Sequence, residues 1–172
     1  MKLLRVIGTI AAWAAAMPLL VVLCVRPLRC NTIDSTIKKR TLALAEMWGA
    51  PIRASEGARL NLERLAPCLP RCTNVNRLMV AAANERILNH PEQAIAYYQQ
   101  AMRYDRRPEL YFNLGEAQAE AGRNQEAIQN LFTACLFNPE LLPSIGNLHD
   151  EVLLRRNQYQ IYIASLQKKA AP

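Results

Sequence analysis

At 172 residues, the chain has room for one modest domain with accessory segments. Its composition is 51% hydrophobic and 20% charged, which excludes wholesale disorder, and abundant alanine with few β-branched residues favours an all-α fold. The net charge of +7 lies at one end: residues 1–40 carry seven basic side chains and one acidic, whereas the remainder holds 14 basic and 13 acidic. This argues against nucleic-acid binding, which needs a basic surface on the folded body.

The first element is an uncharged stretch of twenty residues from Val6 to Val25. As a helix rising about 1.5 Å per residue, it would cover roughly 30 Å, the thickness of a bilayer's hydrocarbon core. We therefore predict a basic N-terminal tail (1–5) and a transmembrane helix (6–26), with flanking basic residues that contact membrane lipids. A cleaved signal peptide and a buried soluble helix are the alternatives. The apolar run continues nine residues beyond the candidate cleavage site at Ala16, which favours an uncleaved anchor.

Membrane orientation is ambiguous, because basic residues flank the apolar stretch on both sides. A short basic N-terminus that stays inside is the common bacterial arrangement, so we expect a single-pass protein whose C-terminal body is extracytoplasmic (periplasmic). The pair Cys68 and Cys72 is a candidate disulfide in such an oxidising compartment, and two unpaired thiols in a loop are the alternative.

Residues 27–72 form a helical linker that contains a helix pair. Ser35 to Trp48 places Ile37, Leu44, Met47 and Trp48 on one side, and Ser55 to Ala66 places Ala58, Leu62 and Leu65 on one face. This pair either packs beneath the helices that follow it or lies on the membrane surface.

An internal repeat occupies the next part of the chain. EQAIAYYQQA (Glu92 to Ala101) realigns on QEAIQNLFTA (Gln125 to Ala134) with a shift of 33 residues. The shared spacing of a small, a large and a small residue puts three side chains on one helical face, where small residues let a neighbouring helix approach. The matched residues are Ala94, Tyr98 and Ala101 in the first segment, and Ala127, Leu131 and Ala134 in the second.

The second copy, PELYFNLGEAQAEAGRNQEAIQNLFTACLFNPEL, resembles the tetratricopeptide repeat. It matches the pattern of that family at Tyr111, Leu114, Gly115, Gly122, Ala127, Leu131, Ala134 and Pro139. The resemblance implies a short α-solenoid of helix hairpins over residues 73–172, with repeats at about 75–107 and 108–141 and closing helices at 142–169. Gln118 departs from the usual apolar residue, which predicts loose local packing.

The resemblance also implies a concave peptide-binding groove lined by the first helix of each repeat. The corresponding positions include Asn76, Met79, Ala83, Arg86, Glu109, Phe112, Asn113 and Glu116. Because Glu116 would repel an acidic peptide terminus, we expect an apolar or mildly basic protein segment as the partner.

Catalytic patterns are absent from the sequence. The two histidines, His90 and His149, fall at a predicted turn and a predicted helix surface, and no phosphate loop, G-x-S-x-G or H-E-x-x-H motif occurs. We therefore predict a protein-interaction module with no catalytic, cofactor or metal site. It is either a membrane-anchored scaffold, as in envelope, secretion or pilus assembly, or an accessory subunit whose N-terminal helix docks into a larger membrane complex.

Overall fold

The computed structural model describes residue 30 and residues 36–43 and 51–170, with backbone alone at 51–53 and 168–170. The described residues are helical and contain no strand. The predicted transmembrane helix (6–26) and Leu44, Met47 and Trp48 lie outside them. Within the described part of the chain, no helix combines the length and apolar character needed to cross a membrane. The helices are α1 (36–43), α2 (Pro51–Leu65), α3 (Val75–Ile87), α4 (Pro91–Ala101), α5 (Pro108–Glu120), α6 (Asn124–Phe137) and α7 (His149–Ala170), with 3₁₀ turns at Ala66–Cys68 and Pro139–Ser144.

Local sequence signals set the starts of the central helices. The side chain of Asn74 caps α3 by accepting the Arg77 amide at 3.0 Å. Pro91 and Pro108 stand at the start of α4 and α5, where the missing N–H has no helical partner to lose. Both helices then carry a glutamate in the first turn, where the helix dipole favours negative charge.

The turns that close α3 and α5 have the same geometry. Asn89 (φ 60°) and Gly122 (φ 75°) are 33 residues apart and both adopt the left-handed conformation that commonly ends a helix. In each turn the next amide donates to the carbonyl five residues earlier, at 2.9 Å and 2.8 Å respectively. The 33-residue period of the sequence is therefore also a period of the backbone.

Within each pair, the repeated small and large side chains pack at the helix interfaces. Gly115 marks a close approach between α5 and α6, because a Cβ placed there would lie 2.7 Å from Cγ of Leu131. Helix α3 packs on α4, α4 on α5 and α5 on α6, an arrangement compatible with a helical solenoid. All six residues matched between the two segments are buried: Ala94, Tyr98, Ala101, Ala127, Leu131 and Ala134.

The N-terminal helix pair packs against the first repeat. This is the first of the two arrangements that the sequence left open, packing beneath the helices that follow. Ile37 of α1 and Leu65 of α2 form a buried cluster with Ala81 of α3. Ala58 is also fully buried, and Leu62 packs partly buried against the same cluster. The described chain thus stacks three successive helix pairs.

The cysteine pairing differs from the predicted one. Cys68 is bonded to Cys30, with a Cα–Cα distance of 5.8 Å, whereas Cys72 is a free, buried thiol. Arg71 between them adopts a positive φ of 54°, and beyond it Cys72 joins the core cluster of the first repeat. Closeness in sequence does not orient two side chains toward each other, and here the turn separates them.

The C-terminal end also differs from the predicted pair of closing helices. The 3₁₀ turn Pro139–Ser144 follows α6, and one continuous helix, α7, then runs from His149 to Ala170. This helix contains neither glycine nor proline, so no helix-breaking residue divides it into two helices. Its buried Val152 joins Leu131, Cys135 and Ile145 in a second core cluster.

Candidate functional site

A cleft of about 410 Å³ opens between α1, α3 and α5, the first helices of the three successive pairs. Cavities of this size suit a few side chains of a bound segment. The lining residues are Lys38, Thr41 and Leu42 of α1, Asn76, Met79, Val80, Ala83 and Arg86 of α3, Tyr98 of α4, Arg107, and Glu109 and Asn113 of α5.

Six of the eight predicted groove residues line this cleft: Asn76, Met79, Ala83, Arg86, Glu109 and Asn113. Phe112 does not line it, because this side chain packs against the second core cluster beside α6 and α7. Glu116 does not line it either, and its carboxylate accepts a hydrogen bond from Arg86 at 3.1 Å.

Arg86 joins the first repeat to the second at the back of the cleft. Its Nε donates to Glu120 at 3.0 Å and its Nη2 to Glu116 at 3.1 Å. Burial alone would lower the pKa of this guanidinium, but the hydrogen bond to Glu120 and the charges around it raise the pKa above its ordinary value. Burial raises the pKa of the neighbouring Tyr98 hydroxyl, an effect that the Arg86 charge partly opposes. Arg86 therefore stays cationic and offsets part of the negative charge of the two glutamates.

The α1 wall of the cleft is held by a buried polar network that the sequence did not reveal. Nδ2 of Asn84 donates to Oγ1 of Thr41 at 2.9 Å and to the Val80 carbonyl at 2.7 Å, and Oδ1 accepts from Nδ2 of Asn61 at 3.0 Å. Asn61 and Asn84 are 1% and 0% exposed, so these amides depend on one another for hydrogen bonds. Asn84 is followed directly by Glu85 and Arg86, so no local pattern in the sequence marked it as buried.

Two charged residues of the cleft have no ion-pair partner among the described residues: Lys38 on α1 and Glu109 on α5. Arg107, in contrast, is paired with Asp105. The lining also includes the apolar side chain of Met79 and the Asn113 amide. The cleft therefore offers a cation, a carboxylate, amide groups and apolar side chains, which can contact both polar and apolar groups of a ligand.

Gln118 is well packed, contrary to the looseness predicted from its polar character. It is 2% exposed; its Nε2 donates to Glu126 at 2.9 Å and its Oε1 accepts from Asn130 at 2.7 Å. Glu85, at the equivalent position of the first repeat, contacts His90 at 3.0 Å. Both repeats thus place a hydrogen-bonded polar side chain where an apolar one is usual.

In comparisons with known proteins, no family model, no curated protein and no solved structure matches this chain. Its likeness to any protein class rests on its own residues and geometry.

Proposed function

We propose that this protein is a membrane-anchored helical-repeat scaffold of the tetratricopeptide type, which binds a segment of a protein partner in the cleft between α1, α3 and α5. The observation that carries the proposal is the cleft itself, because successive helix pairs each contribute one wall. The 33-residue period in sequence and turn geometry supports the repeat assignment.

The arrangement of charges indicates what kind of segment fits. Arg86 is paired with Glu116 and Glu120, and neither glutamate lines the cleft, so Lys38 and Glu109 carry the charges available to a ligand. An extended segment with an acidic residue toward Lys38 and a basic residue toward Glu109 would complement both walls. Apolar side chains between them would contact Met79 and Ala83. This extends the sequence-based expectation of an apolar or mildly basic segment.

We place the helical body outside the cytoplasm, in the periplasm of a bacterial cell, tethered by residues 6–26. The disulfide between Cys30 and Cys68 supports this, because disulfides persist in oxidising compartments and are rare in the cytoplasm.

Site-specific photo-crosslinking of the full chain in native membranes tests the proposal. A photoreactive side chain at Asn113, inside the cleft, should give an adduct with one defined protein, whereas the same group at exposed Gln129 on α6 should not. Glu109→Lys should abolish the adduct and Glu140→Lys, at an exposed position outside the cleft, should preserve it. Equal adducts from both helices, or an adduct that survives Glu109→Lys, would contradict the cleft as the binding site.

The second candidate is an accessory subunit of a larger membrane complex. Five alanines between residues 11 and 16 offer small faces for association with other transmembrane helices, which favours it. Gentle detergent extraction followed by sizing separates the two. A stable large assembly that persists in the Glu109→Lys variant supports the subunit, and loss of the partner in that variant supports the scaffold.

A further inference from the structure

Helix α7 exposes large apolar side chains along much of its length. Ile161 is 70% exposed, Leu154 59% and Tyr162 57%. A helix with apolar residues distributed around its circumference is usually covered on more than one side. Within the described residues, α7 packs mainly against α6 and the preceding 3₁₀ turn.

The covered and uncovered sides of α7 can be distinguished. Val152 is fully buried, and the Tyr159 ring meets Phe132 of α6 at a centroid distance of 5.8 Å. Leu154 and Ile161 are seven residues apart, so they share a face, and that face points away from Val152. A seven-residue spacing of apolar residues is the spacing by which two helices pack along each other.

The charges of α7 indicate which helix could cover this face. The helix begins with Asp150 and Glu151, and its sequence ends with Lys168 and Lys169. In an antiparallel pair of two such helices, each acidic start lies near the basic end of the other. A parallel pair would instead place like charges together at both ends, which is unfavourable.

We propose that α7 is a self-association surface, which pairs antiparallel with α7 of a second copy of this chain. A twofold axis near Gln158 sets Leu154 of each copy opposite Ile161 of the other, so one patch is complementary to itself. The pairing uses the end of the helical stack and leaves the cleft between α1, α3 and α5 open. It therefore stands independently of the proposed cleft function.

Charge reversal at the two ends of α7 tests the pairing. The single variants also test its direction, because a parallel pair has like charges at both ends before and after either change. The variants are D150K/E151K and K168E/K169E, each in the full chain. Either variant alone should weaken dimerisation at least about tenfold, because both ends then carry like charges. An equimolar mixture should restore the dimer, since in a mixed antiparallel pair both ends regain opposite charges. The measurement is sedimentation equilibrium in density-matched detergent, with helicity by circular dichroism as the check on folding.

Apolar contact is tested with Ile161→Asp, for which Gln160→Asp is the matched control, also exposed but about 100° away around the helix. We expect a monomer for the first variant and a dimer for the second. A monomeric wild-type chain overturns the proposal, as does a mixture of charge variants that stays monomeric. If the Ile161→Asp variant remains a dimer and loses only its binding to lipid vesicles, this face contacts the membrane. That result would also overturn the proposal.

Discussion

Gly115 makes the contact between α5 and α6 testable at the level of single atoms. A Cβ at this position would lie 2.7 Å from Cγ of Leu131 and 3.1 Å from the Ala127 carbonyl oxygen. Leu131 is 2% exposed and belongs to the second core cluster, so its side chain cannot move aside freely. Gly115→Ala must therefore push the two helices apart or distort a buried rotamer.

Two effects of opposite sign set the size of this change. Replacing glycine by alanine inside a helix stabilises by about 1 kcal/mol. Overpacking a close contact costs roughly 1–3 kcal/mol. The steric cost exceeds the gain, so we expect Gly115→Ala to lower the free energy of unfolding by about 1 kcal/mol. In a Leu131→Ala background the nearest carbon is absent, and the same substitution should become neutral or stabilising.

Urea denaturation followed by circular dichroism measures the four corners of this double-mutant cycle. Gly146→Ala is the control, because nothing lies within 4 Å of a Cβ at that position, and its effect should stay within about 0.5 kcal/mol. Stabilisation by Gly115→Ala in the wild-type background would refute the close approach. So would an unchanged cost in the Leu131→Ala background, since coupling is the signature of direct contact.

The remaining predictions concern the buried polar groups and the cysteines. Asn84→Ala should lower the free energy of unfolding by about 1–3 kcal/mol in urea titrations, because the Thr41 hydroxyl and the buried Asn61 amide each lose a hydrogen-bond partner. Burial raises the pKa of Tyr98, so the folded state keeps the phenolic proton that the unfolded state loses near pH 10; stability is full below that pH and falls above it. Melting temperatures of Tyr98→Phe should therefore fall less between about pH 9 and about pH 11 than those of the wild type. Cys30→Ser opens a loop with a sequence separation of 38, which should cost up to about 4 kcal/mol in thermal or urea melts of the oxidised protein. Cys72→Ser leaves that disulfide intact, so the loop stays closed and this loss of stability should not occur.

The helical class and the bounds of the repeat helices were predictable, because their signals are local. Prolines at the first position of α4 and α5 set their starts, and α6 ends at Phe137, two residues before Pro139. The small-large-small spacing placed Ala94, Tyr98 and Ala101 on one face, and all three are buried. Periodicity and helix-capping residues act within a few positions, so a single sequence contains them in full.

The features that escaped prediction depend on contacts between residues far apart in the chain. Cys30 and Cys68 are separated by 38 residues, and Asn84 meets Thr41 across 43. No local pattern distinguishes a buried asparagine with partners from an exposed one. The continuity of α7 was missed for a different reason: the repeat pattern suggested a helix pair, but no glycine or proline supplied the break.

Two walls of the cleft could be predicted from the sequence and the third could not. This difference bears on which residues determine the ligand specificity of the cleft. Its α3 and α5 walls come from the repeats, and their positions could be inferred from the repeat alone. Its third wall, with Lys38, comes from α1, whose own sequence lacks the repeat pattern. That wall is fixed by the hydrogen bond between Asn84 and Thr41 and by the packing of Ile37 against the first repeat. Because Arg86 is already engaged by two glutamates, the cation that a partner would meet on this side is Lys38. Selectivity in the proposed cleft therefore depends on a helix outside the repeats, and two proteins with the same repeats but different N-terminal layers would select different segments.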